Sequence, residues 1–237
     1  MCTLSFIPEA NGYLVGMNRD EQISRSSTLP PERFPIEGGY AVYPRENSGG
    51  TWIAANSFGV TLALLNWYSV AAIAPKSQSR GEVIPKLIAG EDSGSVHDAL
   101  TRLPLGGTLP FRLVGFFPSE RAIAEWRWNQ HKVEQLEFTW QRHHWFSSGI
   151  SDAEAERQRG EVFLRSSPNG RSARDWLRTQ HRSHKNGPGP FSICVHRNDV
   201  RSISYSEIHF SERGLLLEMF SGSPCAQELG GLTPWTP

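Results

Sequence analysis

The stretch MCTLSFIPEANGYLVGMNRDE, residues 1–21, decides how the rest of the chain is read. Residues 2–7 and 13–17 are short β-prone runs, and the Asn11-Gly12 dipeptide between them favours a tight hairpin turn. A hairpin there doubles the chain back on itself and brings Cys2 near the MNRDE end of the second strand. Cys2 then has two readings. It is a small apolar residue of a first strand or, once Met1 is removed, an N-terminal thiol with its own amine.

Working outward, a proline-rich loop (Leu29, Pro30, Pro31, Phe34, Pro35) separates this hairpin from strands expected at 39–43, 51–55 and 59–66. The last of these carries Val60, Leu62, Ala63, Leu64 and Leu65 in near-continuous order, the mark of a strand covered on both faces. Ser79 with Glu82, Ser95 with Asp98 and Ser151 with Glu154 fit the capping pattern that opens a helix, although Pro85 limits the first helix to its opening turn. Between the second and third lies a β block at 111–117, 121–128, 133–138 and 143–148. A helix over 172–181 leads to a final β run: FSICVH (191–196), VRSISYSEI (200–208) and LLLEMF (215–220). Strand blocks separated by helices imply packed sheets with helices outside, in one domain over residues 1–237.

Lys plus Arg and Asp plus Glu both number 24, so the chain is formally neutral and nucleic acid is not an expected partner. The longest apolar stretch, residues 60–74, is interrupted by Thr61, Asn66 and Ser69 and is shorter than the roughly 20 residues a membrane span requires. No secretory signal opens the sequence, and Cys2, Cys194 and Cys225 are odd in number and widely spaced. Reduced thiols in a cytoplasmic protein are expected. No CxxC, HExxH or paired His/Cys spacing points to a metal, and no cofactor is expected. From Arg157 to Lys185 eight Lys or Arg face two acids, with Arg171, Arg174, Arg178 and Arg182 at helical spacing. They form a solvated helix face or a docking surface for an anion.

GxSxG, GxxxxGK[ST] and GxGxxG are all absent, which leaves Cys2 as the candidate for chemistry. In an N-terminal cysteine the α-amine, with a pKa of about 7.7–8, accepts the proton of a thiol of pKa about 8.5, so nucleophile and base come from one residue. A carboxylate such as Asp20 is placed to orient the amine. Asn66, a polar residue ending an apolar strand, is a candidate oxyanion donor.

MC at the start, MNRDE at 17–21, Arg25, GGTW at 49–52, NSFGVTLALLN at 56–66, SRGE at 79–82, SSGISD at 147–152 and SICVH at 192–196 together resemble the NRDE family, that of the transport and Golgi organisation 2 protein. That family is similar to cysteine N-terminal nucleophile hydrolases of the choloylglycine hydrolase and penicillin V acylase type. The resemblance implies an α+β fold, a four-layer αββα sandwich of the N-terminal nucleophile hydrolase kind. It also implies a nucleophile at Cys2, an amine contact at Asp20, and oxyanion stabilisation by Asn66, in the cleavage of a small-molecule amide or related acyl bond through an acyl-thioester.

Two departures accompany it. The hydrolases have an arginine where this chain has Met17, and Arg19, two residues later, is expected to point away from the thiol. Ser148 stands where they have a second asparagine, and their late arginine has no counterpart. Asn18, Arg19, Trp52 and His196 are candidate substrate-binding residues. Against this, Asn18, Arg19 and Glu21 also read as a structural ion-pair and turn network, Trp52 as core, and His196 as a hydrogen-bonded strand end. The alternative function implied by the family is non-catalytic binding or trafficking of haem or acyl-CoA.

Overall fold

The computed structural model describes residues 1–25, 28–73, 75–185 and 187–226, and the main chain of 233–234. Two antiparallel sheets lie face to face. The first runs β10-β1-β2-β11-β12-β13, formed by β1 (Cys2–Glu9), β2 (Gly12–Gln22), β10 (His143–Ser147), β11 (Val200–Ser211), β12 (Gly214–Ser221) and β13 (Thr233–Pro234). The second runs in sequence order, from β3 (Thr28–Ile36) through β4 (Gly39–Glu46), β5 (Ile53–Asn56), β6 (Thr61–Asn66), β7 (Phe111–Phe117) and β8 (Ala122–Trp128) to β9 (Val133–Thr139).

Three apolar layers hold the stack together. Between the sheets, Leu4, Phe6, Val15 and Met17 of the first meet Val42, Ile53, Ala63, Leu65, Val114 and Phe116 of the second. The outer face of the second sheet is covered by α1 (Val83–Leu87) and α2 (Ser93–Arg102), through Ile84, Leu87, Val96 and Leu100. The outer face of the first is covered by α3 (Asp152–Leu164) and α4 (Ala173–His181), through Ala155, Phe163, Trp176 and Leu177. The arrangement is a four-layer αββα sandwich. No helix among the described residues is long and apolar enough to cross a membrane.

The opening hairpin forms, with Glu9 opposite Gly12 and the turn at Ala10-Asn11. Gly12 is needed for proximity: a Cβ there would lie 1.9 Å from the main-chain oxygen of Phe210 on β11. The proline-rich segment is a strand, not a loop. As the edge strand β3 it tolerates missing N–H groups, and its register shifts between Leu29 and Glu32, around Pro30 and Pro31. Ser79, Ser151 and Ser172 accept main-chain hydrogen bonds at their helix starts, whereas α2 is capped by Asp92 with Ser95 inside the first turn. FSICVH is not a strand; within it only His196 makes a bridge, to Arg201. Arg174 and Arg178 of α4 pair with Glu207 and Glu218 on the sheet beneath, so part of the basic run serves layer packing.

Candidate active site

Strand alternation divides MNRDE between two environments. Asn18 faces the helical layer, where its amide donates to the carbonyls of His181 (2.8 Å) and Ile193 (3.0 Å) and its oxygen meets His181 Nδ1 at 3.1 Å. Ser5, next door on β1, joins His181 Nε2 and His144 Nδ1, each at 2.9 Å. Burial pushes His181 down to about 3 and His144 well below the usual imidazole range, so both rings are neutral at pH 7.

Arg19 faces the other way, into a cavity of about 380 Å³ between the sheet ends. It is the register partner of Cys2 on β1. The expectation that Arg19 turns away from the thiol is therefore corrected: an offset of two residues from Met17 preserves the face of a strand. Its guanidinium pairs with Glu21 (3.3 Å) and Glu46, and lies 4.6 Å from the Trp52 ring centroid. Arg25 joins the same two carboxylates. Arg19 Nη1 and Trp52 Nε1 are buried donors without a hydrogen-bond partner in the protein.

Cys2, Asp20, Asn66, Tyr68, Arg80 and Lys76 also line this cavity. GGTW and SRGE are pressed together at its wall. Thr51 N donates to Gly81 O at 3.0 Å, and a Cβ on Gly50 would lie 3.1 Å from Gly81 Cα. That contact carries Arg80 into the cavity. Burial lowers the pKa of Arg80, against the opposing influence of Tyr68 and Cys2. Among the described residues neither Arg80 nor Lys76 has a carboxylate in ion-pair contact.

The strand ladder ends at Met1. Its amine donates to Asp20 O (3.0 Å) and its carbonyl accepts from Asp20 N (2.8 Å), while Cys2 N donates to Ser147 Oγ (2.9 Å). Burial raises the Cys2 thiol pKa; the Met1 ammonium, the Asp20 amide and Arg19 oppose that rise. The Asp20 carboxylate is buried. Ser202 Oγ donates to Oδ1 at 2.6 Å, but Oδ2 accepts no hydrogen bond, its nearest cation being Arg159 Nη1 at 3.8 Å. Burial raises the Asp20 pKa, with Arg159, the Met1 amine and Ser202 pulling it back. The same Arg159 nitrogen donates to Thr3 Oγ1 (3.0 Å) and approaches the carbonyl of Cys2 at 3.4 Å.

Of the residues singled out from sequence, the fold brings Cys2, Asp20, Asn66, Arg19 and Trp52 to one cavity. The Asn66 amide donates to Tyr68 Oη at 2.8 Å. Asn18 and His196 are elsewhere, Asn18 beneath α4 and His196 beside Cys194 and Cys225. Ser148 is buried and its amide donates to Asp152 Oδ1. Arg159, Arg80, Ser147 and Ser202 were not anticipated. Arg159 left a signal: it shares the stripe Asp152, Ala155, Val162 and Phe163 that α3 buries, an unusual place for a guanidinium.

The family model for Transport and Golgi organisation 2 matches residues 1–161. The chain belongs to that family. No individual curated protein matches its sequence. Among solved structures it resembles penicillin V acylase from Agrobacterium tumefaciens, with a TM-score of 0.56 at 10% identity over 93% of this chain and 83% of that one. It also resembles a mutant conjugated bile acid hydrolase from Clostridium perfringens, with a TM-score of 0.57 at 11% identity over 99% of this chain and 92% of that one. The family member described here thus has the N-terminal nucleophile hydrolase fold.

Proposed function

We propose that the protein is a cytoplasmic cysteine N-terminal nucleophile amidohydrolase that cleaves a non-peptide C–N bond of a small molecule through an acyl-thioester on Cys2. The observation that carries this reading is the unpartnered Asp20 Oδ2, buried at the end of the ladder where the main chain of Cys2 begins. Removal of Met1 turns the Cys2 amide nitrogen into an amine, with Ser147 Oγ on one side and Asp20 as its counter-ion. In such a site the amine takes the thiol proton and the thiolate attacks the carbonyl carbon. The tetrahedral oxyanion is held by the Asn66 amide. Collapse breaks the C–N bond, and the leaving amine takes its proton from the Cys2 ammonium. Water then adds to the thioester with the same amine as base, releasing the acid and the free thiol.

Arg19 Nη1 and Trp52 Nε1 are suited to donate to a ligand carbonyl or carboxylate, and Arg80 with Lys76 favours an anionic group on the same molecule. The test is hydrolysis of a panel of N-acyl amino acids and acyl amides by mature protein and by Cys2→Ala. Turnover in the first and none in the second supports the reading. Equal rates contradict it.

The uncompensated cations also favour a second reading, a non-catalytic site for an anionic ligand such as haem or acyl-CoA. Saturable binding at micromolar concentration that survives Cys2→Ala, in protein with no turnover, would select it.

A further inference from the structure

We propose that His184, Cys194, His196 and Cys225 form a zinc site that ties three loop segments together behind Asp20. One ligand atom from each of the four residues lies within 4.8 Å of every other. His196 Nε2 stands 3.3 Å from Cys225 Sγ and 3.7 Å from Cys194 Sγ. With zinc–sulfur bonds of about 2.3 Å and zinc–nitrogen bonds of about 2.0–2.1 Å, a regular tetrahedron has edges of roughly 3.3–3.8 Å. The two measured edges fit. The rings of His184 and His196 meet edge to face with centroids 4.7 Å apart, and His184 Nε2 is buried without a hydrogen-bond partner in the protein.

All three cysteines are free thiols, and two of them meet here. Two thiolates and two neutral imidazoles make an uncharged site around a divalent zinc ion, a donor set that selects zinc over magnesium or calcium. The sequence hides it because the ligands are separated by nine, one and twenty-eight residues, which matches no finger or ribbon spacing. Cys194 and His196, two residues apart, both bring a ligand atom to the group. Val195, between them, is buried, and its N–H donates to Ser202 Oγ at 2.8 Å. Ser202 in turn donates to Asp20, so the segment carrying two ligands also supports the carboxylate at the cavity. His184 follows α4, and Cys225 follows β12 in a turn where Ser223 Oγ bonds Ser202 O at 3.0 Å. A four-coordinate closed set with no open position gives the ion a structural role.

The test is elemental analysis and native mass spectrometry of tag-free full-length protein grown in zinc-replete medium, followed by cobalt substitution. The expected result is about one zinc per chain, with visible ligand-field bands and near-ultraviolet thiolate charge transfer in the cobalt form. Cys225→Ser should weaken zinc binding by at least about tenfold, the scale on which lesser perturbations of metal sites act, while Cys2→Ala keeps the metal. The inference is overturned by a metal-free chain that gives no cobalt charge transfer, or by a Cys194–Cys225 disulfide in metal-free protein. An unchanged cobalt spectrum in folded Cys225→Ser also overturns it. Because metal content is read apart from turnover, the outcome is independent of whether Cys2 is a nucleophile.

Discussion

The two faces of β2 solve opposite problems with adjacent residues. On the helical face, the Asn18 and Asp20 side chains are fully buried, and their polar atoms find partners inside the protein with the exception of Asp20 Oδ2. On the cavity face, Arg19 and Glu21 share an ion-pair group with Glu46 and Arg25 whose carboxylates remain about one-fifth exposed. The lesson is that residues contiguous in sequence belong to different functions when they lie on a strand. The first face holds the scaffold around Cys2, and the second meets whatever enters the cavity.

That contrast is sharpest at the two arginines. Arg159 on the sealed face is fully buried beside Asp20, and removing it takes away the cation nearest a buried carboxylate. Arg159→Ala is expected to cost about 3–5 kcal/mol, read as a lowered midpoint in urea unfolding. Arg19→Ala should cost only about 1 kcal/mol, because Glu21 and Glu46 keep contact with water. Equal losses would erase the distinction between the faces.

The hydrogen-bond network beneath α4 gives the next effect. The folded pKa of His181 is depressed to about 3, so its neutral ring favours the fold fully above the ordinary imidazole value of about 6.5. As pH falls from about 6.5 towards 3 the unfolded chain binds the extra proton, and stability drops by up to about 1.4 kcal/mol per pH unit. His144 adds to the same trend. Urea titrations at pH 7 and pH 5 should show this loss, and His181→Gln should flatten the slope. A slope unchanged in that variant would mean that other groups carry the acid sensitivity.

Asn18→Ala is expected to cost about 1–3 kcal/mol, since two buried carbonyls lose their donor. It should leave the affinity of the cavity for ligands unchanged. A large change in ligand affinity with intact stability would move Asn18 to the cavity side of the comparison.

The sequence makes the local part of this architecture readable. Residues 111–117 pair as expected because the run is apolar and aromatic, and Ser151 announces its helix by capping chemistry. FSICVH is also rich in apolar residues but follows Pro188 and Pro190. Its carbonyl and amide groups are taken instead by Ser192 and Ser202, with Ser192 Oγ donating to Cys194 O at 2.5 Å. At the cavity, Cys2, Asp20 and Asn66 were legible from chemistry and family resemblance. Arg80, Arg159, Ser147 and the His184–Cys225 group come together only through tertiary packing, which no spacing in the chain records.

The central claim is that the sealed face holds Asp20 ready for a Cys2 amine. Intact mass spectrometry before and after limiting iodoacetamide tests it most directly, with Asp20→Asn alongside. The account predicts protein lacking Met1, with Cys2 labelled ahead of Cys194 and Cys225 and at a rate that falls in the variant. Retained Met1, or Cys2 labelled no faster than an unfolded peptide carrying the same residues, would contradict it.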